Sequence, residues 1–89
     1  LASVLVALRS ADQAAATALT SALVRMKSAA ANAALFEAFT LQNAAARKAA
    51  AWALAEAGGD GVRAALNRAA AKDPDPEVRR LCSALLARG

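Results

Sequence analysis

Catalysis and metal binding need side chains that titrate, attack or ligate, and this 89-residue chain holds few of them. It has no histidine, so the usual general acid–base group and the commonest metal ligand are both missing. Its one cysteine, Cys82, has no imidazole to activate it as a nucleophile. A single cysteine also excludes an internal disulfide and a thiolate metal cluster. The carboxylates Asp73, Asp75 and Glu77 lie close enough to suggest a cation site. The glycine spacing of a calcium loop does not accompany them, and the interleaved Pro74 and Pro76 point to helix capping instead. Gly58-Gly59-Asp60-Gly61 is glycine-rich, yet it lacks the Lys-Ser/Thr that completes a phosphate-binding loop. No catalytic residue, metal ligand or cofactor is expected, and the chain reads as non-enzymatic.

The same carboxylates make sense as parts of a joint between helices. In Lys72-Asp-Pro-Asp-Pro-Glu-Val-Arg-Arg80, Pro74 biases Asp73 away from helical geometry, so a helix should stop near Lys72. Asp75 can accept hydrogen bonds from the free N–H groups of the next turn. Pro76 suits the first helical position, where its missing N–H costs nothing. Glu77 adds negative charge at the positive end of the helix dipole.

Aligning Asp75 with Asn43 and Asp12 reveals spacings of 32 and 31 residues. Each of these capping residues opens an alanine-rich segment. In register along the three segments stand Ala15, Ala46 and Val78, then Leu19, Ala50 and Cys82, then Leu23, Leu54 and Leu86. Apolar residues at i, i+4 and i+8 predict one buried helix face per segment. Second helices are expected over roughly 1–9, 29–40 and 61–72. Ser28 and Asp60 are the expected caps of the latter two. The units run roughly 1–10 (partial), 11–41, 42–73 and 74–89 (partial). Thirty of the 52 hydrophobic residues are alanine, the strongest helix former, and β-branched residues are scarce, so the class is all-α. The chain is expected to be an excised piece of a longer protein whose ends meet further repeats or another domain.

Two segments carry a resemblance. Arg47-Lys-Ala-Ala-Ala-Trp-Ala-Leu-Ala-Glu-Ala-Gly58 and Asp73-Pro-Asp-Pro-Glu-Val-Arg-Arg80 resemble the HEAT-like repeat family in its short bacterial form, also seen in phycobilisome-lyase-type proteins. The match is closest from Asn43 to Gly89. From Leu1 to Gln42 it is weaker, because Asp12-Gln-Ala-Ala-Ala-Thr17 lacks both the proline and the arginine. The resemblance implies a right-handed α-solenoid of about three helix pairs, with second helices lining a concave surface. For the equivalent Arg47 and Arg79, it implies a salt bridge or carbonyl contact between neighbouring units, not a cation ladder for an acidic partner. Asp75 and Arg79 are accordingly read as fasteners.

The expected function is that of a protein-interaction scaffold. Its candidate binding residues sit on the second helices: Asn32, Glu37, Arg63, Asn67 and Arg68. The alternatives are a regulatory or lyase-associated protein assisting an enzyme or chromophore, and a weak nucleic-acid binder. The net charge of +4 and pI near 10.2 are mild for nucleic acid. The sign change between the aligned Glu37 and Arg68 also argues against a phosphate-tracking stripe. Trp52, the lone tryptophan, is expected to fill a seam between units, Phe39 to be core, Phe36 to be half exposed and Cys82 to be a small buried hydrophobe. Leu1–Leu8 is apolar but too short to span a bilayer, and without a basic region before it does not read as a signal peptide. A cytoplasmic setting with no membrane partner is expected.

Overall fold

A computed structural model describes residues 2–88. Among them, every element is a helix: α1 Ala2–Leu8, α2 Gln13–Met26, α3 Ala29–Ala38, α4 Ala44–Ala57, α5 Val62–Lys72 and α6 Pro76–Arg88. The first helices α2, α4 and α6 form one layer, with α4 packed between α2 and α6. The second helices α1, α3 and α5 lie against it. The result is an α-solenoid of consecutive helix pairs.

The capping residues behave as their chemistry dictates. Asp12 accepts from the Ala15 N–H at 2.8 Å, Asn43 from Ala45 at 3.1 Å, and Ser28 from Ala31 at 3.0 Å. Asp75 accepts from Glu77 at 2.7 Å and from Val78 at 3.3 Å. Asn43 does more than cap. Its amide donates to the Leu8 and Ala11 carbonyls at 2.9 and 2.8 Å, which ties the joint before α4 to the joint before α2. Asp60 is not a cap. Gly61 takes that position with φ +83° and no side-chain bond. The ring of Phe36 lies over it, where an added Cβ would stand 3.7 Å from Phe36 Cζ.

Leu8, Leu23, Leu35, Leu54, Val78 and Cys82 are fully buried, and burying each large apolar side chain is worth about 1.5–3 kcal/mol. Alanine fills the central helix: Ala46, Ala49, Ala50, Ala51 and Ala53 are all buried in α4, which lets its neighbours approach closely. The predicted apolar face holds in full only for α4. In α2, Ala15 is exposed and Leu19 half-buried, while Ala16, Thr20 and Leu23 face the core. Helix α1 is only seven residues long and does not cover the Ala15 flank. Thr20 can be buried because its hydroxyl donates to Ala16 O at 2.9 Å and lies 3.2 Å from Thr17 O. In α6, Leu85 is buried and Leu86 half-buried, since only one side of this helix has first-helix company.

Candidate functional site

Arg47 is the best-connected side chain, and it is buried although charged. Its Nε and Nη2 donate to the Asp73 carboxylate at 2.9 and 3.1 Å. Its Nη1 donates to the Leu41 and Gln42 carbonyls, both at 2.8 Å. One guanidinium therefore joins the loop before α4 to the loop after α5. Planar, bidentate geometry of this kind suits arginine and not lysine. Arg79 repeats half of the pattern, donating from Nη1 to the Asp73 carbonyl at 2.6 Å. The arginines are fasteners, as expected of them. The carboxylate that Arg47 grips is that of Asp73, at the end of its own unit, not Asp75, whose side chain is occupied capping α6. Asp73 also accepts from the Asp75 N–H at 2.9 Å. The N–H of Glu77, seconded by that of Val78 and by Lys48 and Arg47, outweighs partial desolvation and holds the Asp75 carboxyl below its ordinary value of 3.8.

Among the described residues, a concave surface opens on each helix layer. The larger, about 870 Å³, lies on the first-helix layer and is lined by residues of α2, α4 and α6. Trp52 stands in it half exposed, which corrects the expectation that it fills a seam. The side of α4 that is buried is made mostly of alanine. Trp52 occupies the outer stripe Lys48–Trp52–Glu56, one side chain per turn. The charges here answer one another. Arg88 lies over the Trp52 ring, with Cζ 5.4 Å from its centroid, a cation–π arrangement. Lys48 pairs with Glu77 at 3.0 Å.

The second surface, about 420 Å³, lies between the second helices α3 and α5. Phe36 of α3 and Phe39 at its C-cap, both half-buried, supply apolar surface, with Thr40 next in the chain. Helix α5 supplies Ala65, Arg68, Ala69 and Lys72, and Asp73 follows at its end. Arg68 and Lys72 are exposed and, among the described residues, form no ion pair.

Of the five expected binding residues, only Arg68 lines this groove. All five are exposed. Arg63 sits roughly 140° around α5 from Arg68, at about 100° per residue, on the other flank together with Asn67. Asn32 lies one turn before Phe36 on α3, and Glu37 about 100° from Phe36. Sequence reasoning passed over Thr40 and Lys72 and placed Phe39 in the core, where the structure leaves it half-buried at the groove. A signal for them was present: the two phenylalanines at i, i+3 on one second helix, and Arg68/Lys72 at i, i+4 on the next.

Cys82 is fully buried in α6. Desolvation, with the negative charge of Asp73 adding to it, pushes its thiol up to about 11. It is a packing residue, not a nucleophile. Among the described residues no helix is long and apolar enough to cross a membrane.

The stacked pairs, the joints and the Arg47 clasp define a helical-repeat protein. A family model of HEAT repeats matches residues 1–87, and the chain belongs to the HEAT repeat family. No curated protein and no solved structure matches it.

Proposed function

We propose that this chain is a non-catalytic scaffold that takes a protein partner on its second-helix side, in the groove between α3 and α5. HEAT repeats commonly mediate protein interactions, which supplies the general class. The observation that carries the choice of face is the pair Phe36 and Phe39, left half open to solvent beside a helix whose cations form no ion pair among the described residues. A hydrophobic centre with a polar rim is the anatomy of a protein-binding patch. Glu37, Asn32 and Arg68 frame this face, while Arg63 and Asn67 stand on the other flank of α5, outside the groove lining. The units 1–10, 11–41, 42–73 and 74–89 act as one run, since the joints are bonded to each other through Asn43 and Arg47.

A photo-crosslinking benzoyl-phenylalanine at position 36, in cells that make the protein, tests this reading. Protein adducts at position 36 but not at position 52 are expected. Adducts confined to position 52 would transfer the function to the first-helix surface. Adducts to nucleic acid would replace the protein reading altogether.

A further inference from the structure

The α3/α5 groove has a charge asymmetry that its opposite number lacks. On the first-helix surface, Lys48 is matched by Glu77 and Arg88 is engaged by Trp52. In the α3/α5 groove, Arg68 and Lys72 face solvent, one helical turn apart on the same side of α5. The single carboxylate that lines this groove, Asp73, is already bound in bidentate fashion by Arg47. It therefore does not neutralise Lys72. Glu37 lies on α3 outside the groove lining. The groove therefore offers an apolar surface with an unanswered positive edge.

Building on the reading of this groove as the docking site, we infer that its occupant is a short acidic peptide segment carrying a bulky apolar side chain. The apolar side chain rests on Phe36 and Phe39. Carboxylates pair with Arg68 and Lys72. The dimensions set the spacing. Four residues of helix separate the two cations by about 6 Å along α5, close to the roughly 6.6–6.8 Å between residues i and i+2 of an extended chain. An extended segment with acidic residues two apart, or a helical one with acidic residues a turn apart, meets both cations. Nucleic acid fits less well. The facing helix α3 contains no lysine or arginine, so no basic track continues from one unit to the next. The Phe36/Phe39 surface also has no role in holding phosphates.

Selection of random dodecapeptides displayed against the intact chain, followed by titration of the selected peptides by fluorescence anisotropy, tests the inference. The expected peptides carry two or more carboxylates beside a Phe, Leu, Trp or Met. Their affinity should fall about tenfold or more in Arg68→Glu/Lys72→Glu, since two exposed ion pairs are lost and replaced by repulsion. It should fall comparably in Phe36→Ala, and weaken as salt is raised. Arg63→Glu makes the same kind of charge change on the other flank and should stay within about twofold of the parent chain. Circular dichroism of each variant separates lost binding from lost fold. Peptides that lack acidic residues but are lost in Phe36→Ala would overturn the acidic occupant and leave the groove standing. Peptides indifferent to Phe36→Ala but lost in Trp52→Ala, or no selection at all, would overturn the groove reading itself. Duplex DNA bound in an Arg68- and Lys72-dependent way, with no peptide selected, would assign the cations to phosphate.

Discussion

Removing the Arg47 side chain should damage this domain more than any other single truncation of a charged residue. Arg47→Ala deletes four hydrogen bonds: two to the Asp73 carboxylate and two to the Leu41 and Gln42 carbonyls. It leaves the Asp73 carboxylate buried without its counter-charge, with only the Asp75 N–H as a remaining partner. Breaking a buried ion pair from one side costs about 3–5 kcal/mol. At about 0.05–0.15 kcal/mol per residue, an 89-residue domain has roughly 4–13 kcal/mol in total. The substitution should therefore remove a large part of the stability, and all of it at the lower end. Asp73→Ala should cost about 1 kcal/mol less, because Arg47 keeps its two carbonyl acceptors. The double variant should be less damaging than the sum of the singles by about 1.5–3 kcal/mol. Urea unfolding followed by far-UV circular dichroism measures all four corners of this cycle. Because the pair is buried, the losses should change little with added salt. A cost for Arg47→Ala below about 1 kcal/mol, or a coupling near zero, would refute the claim that this arginine holds the two joints together.

Three further outcomes are expected. The Asp75 carboxyl is held low in the folded state by the Glu77 N–H. Its capping contribution is therefore complete above about 3.8 and is lost as pH falls through the lower folded value. Thermal melts of Asp75→Ala and the parent chain should differ at neutral pH and converge in acid. Cys82, buried and with its thiol raised to about 11, should resist alkylation in native buffer near pH 8 and react on unfolding, as followed by intact-mass spectrometry. Gly61→Ala should cost about 1–2 kcal/mol in chemical denaturation, because φ is +83° there and a Cβ is strained in the left-handed region.

The joints were the most legible part of this chain. A cap, a proline and a break in the apolar pattern are local signals, and Asp12, Ser28, Asn43 and Asp75 all cap the helices they were expected to cap. Asp60 misled because its neighbour Gly61 can reach a backbone conformation closed to other residues and takes the cap position itself. Burial was legible where helices have company on both sides, as in α4. It was less so in α2 and α6, whose register depends on what covers each flank. Trp52 was misplaced for a related reason. Sequence shows that a helix rich in alanine packs closely, but not on which side of it the one indole stands. For the candidate site, the alignment found the second helices and one groove residue, Arg68. It placed Arg63 and Arg68 together because both sit on the second helix, whereas five residues turn a helix far enough to place them on different flanks. Which residues face one another across α3 and α5 depends on how the two helices sit side by side, and no periodicity within either one reports that.

The Arg47 clasp has a mechanical corollary. It links the loop that follows α3 to the residue that ends α5, and those two helices are the walls of the groove. The width of the groove at that end is thus set by the reach of one rigid, planar group. Elsewhere in a helical-repeat array, bending is shared among many soft side-chain contacts, and a cleft can widen or narrow at small cost. Here the cleft behaves as a gauge of fixed opening. A ligand of the right thickness meets walls already in place and loses little free energy to reshaping them. A thicker one has to strain a buried ion pair before it can enter.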